Sequence, residues 1–327
     1  MPLSGAAKSA PGHLENAVPF LPVGGQAVIE GVMMRSPTRV AVVVRRPDGS
    51  FATMEKPFES VTRRVKALGL PIVRGAVSLF ETMTLGITAL NFSADEASKE
   101  EGPAAKTPAW QGAAQALIVV VSLGLGVLLF VVAPARITAW LGFTDRVGFG
   151  LVDGLFRLTA FVLYLLLISQ WKEMARVLGY HGAEHKAIHA LENRAPLTPE
   201  SVQSFPRLHP RCGTSFLFLV VVVSIVAFTF IGRPRHIGDH LLRIAALPLI
   251  AGVAFEFIRL SGKYYGRPWV RALVWPGMQF QRLTTREPDL SMCAVAIAAI
   301  ERVRGDATVV AMEAAGDAAR AEVAFIQ

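Results

Sequence analysis

Two apolar runs without a charged residue, at positions 113–133 and 213–232, constrain the fold of this chain more than any other feature. About 20 consecutive apolar residues form a helix long enough to cross roughly 30 Å of hydrocarbon. Residues 147–170 and 241–260 are two similar runs, each of which carries a few polar groups. The sequence therefore predicts a mainly α-helical, polytopic membrane bundle with four spans within residues 113–260.

The composition of the 327 residues agrees with a membrane protein and argues against a nucleic-acid-binding one. Hydrophobic residues make up 52% of the chain, which is high for a soluble domain. The net charge is +8, but the basic residues flank the apolar runs, as topology determinants do. Because no basic stripe with interleaved aromatic residues is present, the expected partners are the lipid bilayer and its anionic headgroups and not nucleic acid.

Arginine and lysine residues predict how the bundle is oriented. They are frequent in residues 1–70, in the loop at 171–211 and after residue 260, whereas only two occur in residues 134–146. Basic loops remain on the cytoplasmic side of a membrane, which places both termini and the 171–211 loop in the cytoplasm. Residues 233–240 carry two arginines on the opposite side and weakly oppose this orientation.

Four further segments lie outside the bundle. Residues 1–22 are predicted to be a flexible tail. Residues 23–68 predict a small cytoplasmic β unit, because runs of β-branched residues flank a Pro-Asp-Gly turn at 47–49. Residues 69–112 predict an amphipathic or re-entrant helix followed by an acidic linker. Residues 261–327 predict an interfacial segment with tryptophans and arginines, and then a cytoplasmic helical tail.

The cytoplasmic His-rich loop at 171–212 contains the motif with the clearest chemistry. His181-Gly-Ala-Glu184-His185 has the H-x-x-E-H order of inverted zincin metalloproteases. On a helix the two histidines are four residues apart and share a face. Two such imidazoles can bind one zinc ion, and Glu184 beside them could accept a proton.

His209 and Cys212 form a second potential pair of ligands. Together with His181 and His185 they would complete a closed, structural zinc site with nitrogen and sulfur ligands. If only three of them bind, a water molecule can occupy the fourth position and Glu184 can serve as the general base of a hydrolase. A third interpretation treats the histidines as polar residues at the membrane surface.

Two acidic residues elsewhere are further candidates. Glu30 lies in a strand motif bounded by glycines and could reach the site as a ligand or a base, or could pair with Arg35 or another basic residue. Glu256 lies within the fourth span, where a carboxylate is costly and indicates function. The structural alternative for Glu256 is an ion pair with Arg259 at the membrane interface.

Two further histidine positions are expected to lie outside the site. His189 continues the His181 face of the helix and is expected to be an exposed helix residue. The His236-Ile-Gly-Asp-His240 segment repeats the spacing of the motif. Because the predicted topology puts this segment on the opposite side of the membrane, it is expected to form a polar turn.

Five segments of the chain, taken in order, resemble one known family. They are Gly-Gly-Gln-Ala-Val-Ile-Glu-Gly-Val-Met-Met-Arg-Ser at 24–36, Gly-Leu-Pro-Ile-Val-Arg-Gly at 69–75, Tyr-His-Gly-Ala-Glu-His-Lys at 180–186, His-Pro-Arg-Cys-Gly-Thr-Ser-Phe at 209–216 and Leu-Thr-Thr-Arg-Glu-Pro-Asp at 283–289. This series is similar to the YqhQ-like family, bacterial membrane proteins of unknown function that are described as predicted metal-dependent enzymes. The resemblance implies a place in the bacterial cytoplasmic (inner) membrane.

The resemblance also implies which residues matter. It implies a metal set of His181, Glu184, His185, His209 and Cys212. It further implies that Glu192 and Glu256 match acidic positions of the family.

Three functions follow as hypotheses. The first is a zinc-dependent membrane enzyme, a hydrolase acting at the cytoplasmic face. The second is a non-enzymatic membrane scaffold or assembly factor, with a structural metal site and a cytoplasmic protein partner. The third is a transporter. This hypothesis is the weakest, because an ion path needs buried polar groups and only Glu256 and an expected Asp153–Arg157 pair supply them within the spans.

Overall fold

The computed structural model describes residues 23–98, 110–210 and 212–316. The predicted flexible tail at 1–22, most of the acidic linker and the end of the helical tail lie outside the described residues.

The predicted β unit is a four-stranded antiparallel sheet in which neighbouring strands pair in sequence order. Its strands are β1 (Gly24–Val28), β2 (Gly31–Arg35), β3 (Arg39–Arg45) and β4 (Phe51–Pro57). A two-residue turn joins β1 to β2, and Glu30 in this turn adopts a left-handed backbone conformation with φ of 51°. A residue other than glycine rarely adopts this conformation, so the side chain of Glu30 must be held by other contacts.

Helices make up most of the remaining described residues, as predicted. They are α1 (Val61–Arg64), α2 (Val73–Ala97), α3 (Trp110–Val127), α4 (Ala133–Trp140), α5 (Arg146–Ile168), α6 (Lys172–Glu192), α7 (Pro199–Gln203), α8 (Gly213–Ile231), α9 (Ile237–Ala245), α10 (Leu247–Lys263), α11 (Pro268–Thr284) and α12 (Leu290–Gly316). A short 3₁₀ helix covers Lys66–Gly69, and a π-helical turn at Leu128–Val132 joins α3 to α4.

Helices cover both faces of the sheet. Val32, Met34, Ala41 and Val43 point to one face, where they pack against α6 and α12. The alternate residues of β2 and β3 point to the other face, where they pack against α2. Because successive side chains of a strand point to opposite faces, burial on both sides explains why these two strands are almost continuously apolar.

Four helices of the described residues are long and apolar enough to cross a membrane, which confirms the predicted four-span bundle. They are Gly112–Trp140, Arg146–Ile168, Gly213–Ile231 and Ile237–Gly262. Helix α2 is not among these four. It lies in the segment 69–112, for which an amphipathic or a re-entrant helix is predicted. It lies between β3 of the sheet and α10 of the bundle, and Phe80 on its outer side is 73% exposed.

A group of charges is buried within the described part of the bundle. Asp153 and Arg157 form the predicted ion pair along α5, with 3.0 Å between Oδ2 and Nη2. Arg243 of α9 approaches the same carboxylate oxygen at 3.4 Å, and the guanidinium of Arg157 lies over the ring of Phe228. A charged side chain at this depth is costly unless it is paired, so the shared carboxylate stabilises both arginines.

The last two helices lie in the region 261–327, for which an interfacial segment and then a helical tail are predicted. Helix α11 has Trp269 and Trp275 exposed on its surface, as expected of a helix at a membrane interface. Helix α12 packs against α6 and the sheet, and Cys293, Ala296 and Ile300 are fully buried there. The first turns of the tail, as far as Val303, are therefore part of the core formed by the sheet, α6 and α12. The sheet together with α2, α6, α7 and α12 is called the extramembrane unit below.

Candidate metal centre

Helix α6 carries the H-x-x-E-H motif and lies between the sheet and the ends of two spans. One side of the helix, including Tyr180, Ala183 and Ala187, is buried against the sheet and α12. A second side presents His181 and His185 to the loop before α8 and to the end of α11. The motif therefore lies where the extramembrane unit meets the bundle.

The structure brings three of the predicted ligands together. The ligand atoms of His181, His185 and Cys212 all lie within 4.8 Å of one another. The Sγ atom of Cys212 is 3.3 Å from Nε2 of His181, and the two imidazole rings are 4.5 Å apart between centroids. Two nitrogens and one sulfur at such distances form a set that zinc favours.

Main-chain carbonyl groups orient both imidazoles. Nδ1 of His181 lies 2.7 Å from the Thr284 carbonyl oxygen, and Nδ1 of His185 lies 2.6 Å from that of Arg207. A carbonyl oxygen can only accept, so each neutral ring carries its hydrogen on Nδ1 and keeps a lone pair on Nε2. Metal-binding histidines commonly have this arrangement, with the second nitrogen held by a carbonyl or carboxylate.

His185 is the residue whose environment most strongly indicates a ligand. Its side chain is fully buried, and Nε2 has no hydrogen-bond partner among the described residues. Burial, above all, lowers the pKa of this imidazole. A buried nitrogen with an unused lone pair costs free energy, and a bound cation would remove that cost.

Cys212 is placed at the N-cap of α8, where Sγ accepts a hydrogen bond from the Thr214 amide at 3.4 Å. Burial by itself would raise the pKa of the thiol. Charge attraction to His185 and hydrogen bonds from Thr214 outweigh burial and lower the pKa below its usual value. A helix N-terminus also favours the thiolate, which is the form that binds a metal ion.

Glu184 faces the site from the side of the sheet. Its side chain is fully buried, and Oε2 lies 3.9 Å from Nε2 of His181. A Cβ atom added at Gly25 of β1 would lie 2.6 Å from the Met33 carbonyl oxygen and 3.1 Å from Cγ of Glu184. The close approach of β2 is therefore the first reason for a glycine at this position, and the glycine also leaves room for the Glu184 side chain.

A second group lies one turn further along α6. His189, Glu192 and His209 also offer three ligand atoms within 4.8 Å of one another. Nε2 of His209 is 3.3 Å from Oε2 of Glu192, and burial lowers the pKa of His209 to about 4. The expectation of an exposed His189 is wrong, because the residue is half-buried and its ring lies 4.5 Å from that of His209.

The structure thus divides the four predicted ligands between two groups. His209 is the neighbour of His185, with 5.8 Å between ring centroids, but it lies with His189 and Glu192 and not with Cys212. The spacing of the histidines along α6 could have indicated the second group, since His189 is four residues after His185 and Glu192 is three residues after His189.

Gln281 is a positioning residue that sequence reasoning missed. Its side chain is fully buried on α11. Oε1 accepts from the His209 amide at 2.8 Å, and Nε2 donates to the His209 carbonyl at 2.7 Å. Nε2 also donates to Oγ of Ser215 at 3.0 Å. One amide side chain therefore fixes the loop that carries His209 to both α11 and α8.

Comparison with known proteins decides the family. The family described as "Protein of unknown function (DUF1385)" matches residues 70–306, which include both histidine groups. The chain belongs to the DUF1385 family. It is also 31% identical over 284 residues to the uncharacterized protein YqhQ of Bacillus subtilis strain 168, which covers 84% of this chain and 89% of that protein. The predicted resemblance to YqhQ-like proteins is thereby confirmed, and no solved structure matches the chain.

Glu30 and Arg35 lie apart from both histidine groups of this DUF1385 chain. The Glu30 carboxylate pairs with Arg176 and Arg45 and accepts a hydrogen bond from the Tyr180 hydroxyl at 3.2 Å. Of the two expected roles, the ion pair with basic residues other than Arg35 is the one observed. Arg35 is buried, approaches Glu81 at 3.8 Å and lies over the ring of Phe58.

The remaining candidates have structural partners. Glu256 forms its ion pair with Arg74 of α2, so the expected pairing with Arg259 is wrong. The reason is that α2 lies against α10 and brings a guanidinium to the span. His236 and Asp239 form a capping box at the start of α9, so the segment expected to form a polar turn is instead the first turn of a helix.

Proposed function

We propose that this DUF1385 protein is a zinc-dependent membrane enzyme of the hydrolase class. One observation carries the proposal: one nitrogen from each of two imidazoles and one thiol sulfur lie within 4.8 Å of one another, while both Nδ1 atoms are held by main-chain carbonyls. The residues fit zinc because the donor set is nitrogen and sulfur and because Nε2 of His185 is buried without a partner among the described residues. When bound there with three protein ligands, zinc supplies Lewis-acid chemistry at an open fourth position.

Glu184 would move the proton in this reaction. Its carboxylate is buried beside the ligand pair, and 3.9 Å from His181 Nε2 is a distance that one water molecule can bridge. His181 is the most accessible of the three ligands, with 12% of its side chain exposed. A substrate would therefore approach from the His181 side, while His185 and Cys212 anchor the ion.

The location of this activity follows from charge and from the spans. Helix α6 comes directly after one candidate span, and Cys212 caps the start of another. The basic residues of the 171–211 loop support a cytoplasmic position for this end of the bundle. We accordingly propose a site at the cytoplasmic face of the bacterial inner membrane, in a multi-pass protein with both termini in the cytoplasm.

A structural role for the metal is the second candidate. The ligands and the carbonyls that orient them come from α6, the 207–212 loop and the end of α11. An ion at this junction would cross-link the extramembrane unit and the bundle. The protein would then be a membrane scaffold that binds a cytoplasmic protein partner. Under this proposal the metal contributes stability, and Glu184 has no catalytic task.

Metal analysis of the detergent-purified protein tests the site. We expect zinc in the wild type and the loss of one ion per chain in the His181→Ala/His185→Ala variant. The matched control is His236→Ala/His240→Ala, which removes the same pair of side chains, four residues apart, at the start of α9. A folded wild type that stays free of zinc after zinc is supplied would overturn the proposal.

Glu184→Gln separates the two candidate functions. For a hydrolase we expect the variant to retain its zinc but to lose most of the activity on ester, amide or phosphoester substrates, typically 10²-fold or more. Glu173→Gln is the control, because Glu173 is an exposed residue on the first turn of the same helix. If chelation lowers the melting temperature and no substrate class is turned over, the scaffold is the better description.

A further inference from the structure

The second histidine group is the feature that the proposed function does not use. We infer that His189, Glu192 and His209 bind a second divalent metal ion next to the first. This inference deepens the proposed function and rests on it for the first ion only. Two neighbouring ions would make the site a two-metal centre, the arrangement found in phosphatases, nucleases and aminopeptidases.

The geometry of the second group matches that of the first. Its three ligand atoms lie within the same 4.8 Å of one another. Two of them come from α6 at positions i and i+3, which share one face of a helix, and the third comes from the loop before α8. The rings of His185 and His209 are 5.8 Å apart between centroids, so the two groups are direct neighbours.

Hydrogen bonds already orient the second group. Nε2 of His189 lies 3.0 Å from the Leu208 carbonyl oxygen, which can only accept. The lone pair of His189 is therefore on Nδ1. The main chain of His209 is fixed from both sides by Gln281, and its side chain is 5% exposed. Such fixation through surrounding groups is typical of metal ligands and less typical of a chance surface cluster.

The chemistry of the donors distinguishes the two ions. The first group offers two nitrogens and a sulfur, which suits zinc. The second offers two nitrogens and the carboxylate of Glu192, a harder set that also suits iron and manganese.

Cobalt titration of the full-length, metal-stripped protein in detergent tests the inference. Cobalt bound to a thiolate gives a charge-transfer absorption band that cobalt bound to nitrogen and oxygen lacks. We expect about two cobalt ions per chain in the wild type, with the band present. Glu192→Gln should bind one ion and keep the band, whereas Cys212→Ser should bind one ion and lose it. Glu173→Gln, the same change at the other end of α6, should still bind two.

Each alternative result has a definite meaning. One cobalt ion with the band in the wild type, unchanged by Glu192→Gln, would overturn the second site and leave the first intact. Loss of the band in Glu192→Gln would also overturn it, since the carboxylate would then belong to the first ion. One ion without the band, removed by Glu192→Gln, would support the second site and contradict the proposed function. His189→Gln provides an independent second variant, and no cobalt binding at all would overturn both sites.

Discussion

Arg74 donates two parallel hydrogen bonds, each of 2.7 Å, to the two carboxylate oxygens of Glu256. The same carboxylate accepts the main-chain amide of Ile72 at 3.2 Å. Arg74 belongs to α2, which packs on the sheet, and Glu256 belongs to the fourth candidate span. This bidentate pair therefore ties the extramembrane unit to the bundle at a second point, distant in sequence from the histidine groups.

Breaking this pair should weaken the protein measurably. We expect Glu256→Ala to lower the free energy of unfolding by about 1–3 kcal/mol, because the bonds are charge-assisted and the side chains are mostly shielded from water. Thermal unfolding in detergent measures the loss, and a double-mutant cycle with Arg74→Ala measures the coupling. Arg259→Ala is the control; coupling of Glu256 to Arg259 as strong as to Arg74 would contradict the assigned partner.

Gly182 provides a second prediction, because a Cβ atom there would overlap the carbonyl oxygen of Arg286. The close approach brings the 284–288 segment against α6, so that the Thr284 carbonyl can hold Nδ1 of His181. We expect Gly182→Ala to destabilise the protein by roughly 1–3 kcal/mol and to weaken zinc binding. Unfolding curves and zinc titration measure the two effects.

The control for this change is Gly238→Ala on α9, where a Cβ atom meets nothing within 4 Å. Alanine is the better helix former, so Gly238→Ala should be neutral or slightly stabilising. Equal effects of the two substitutions would show that the contact with Arg286 is not what requires a glycine at position 182.

Much of the fold could be predicted from the sequence because hydrophobicity encodes it locally. The four spans follow from runs of apolar residues, and the hairpins follow from β-branched runs and the Pro-Asp-Gly turn. The partners of the elements are encoded only by long-range packing. The pairing of Glu256 with Arg74 and the burial of α12 against the sheet therefore required the structure.

The sequence predicts the candidate site only in part: it indicates which residues along α6 share a face, but not which loop residues join them. The local spacing of His181 and His185 indicated a shared helix face, and the structure places Cys212 beside them. Whether His209 joins this group depends on how the loop folds back onto α6, and Gln281, 72 residues away, decides that. No local pattern contains this information, so a single set of four ligands was expected where the structure has two groups of three.

The turn at Glu30 offers a third prediction. The left-handed backbone of this residue destabilises the folded protein, whereas the contacts of its side chain stabilise it. Left-handed backbone costs an ordinary residue about 1–2 kcal/mol and costs glycine almost nothing. Glu30→Ala and Glu30→Gly both lose the contacts to Arg176 and Tyr180, but only alanine retains the strain. We expect Glu30→Gly to be the more stable of the two by about 1 kcal/mol in denaturant unfolding. Equal stabilities would mean that the turn relaxes and that Glu30 bears no strain.

The final prediction concerns pH and the metal-free protein. Burial lowers the pKa of His209 to about 4, whereas an unfolded chain would titrate near the ordinary value of about 6.5. Between these two values the unfolded state binds more protons than the folded state. Stability is therefore unaffected above pH 6.5 and is lost as the pH falls below it.

Because of this difference between the folded and unfolded pKa of His209, the free energy of unfolding should fall by about 2 kcal/mol between pH 7.5 and pH 5. Unfolding measured across this range in the presence of a chelator gives the slope, and His209→Gln, which cannot be protonated, should reduce it by that amount. The comparison uses slopes and not absolute stabilities, so any packing defect of the variant cancels. An unchanged slope would mean that His209 is accessible to protons in the folded state. Supplying metal should steepen the wild-type slope, because protons compete with the bound ion for the same ligand atoms and the stability that the ion contributes is lost as the pH falls.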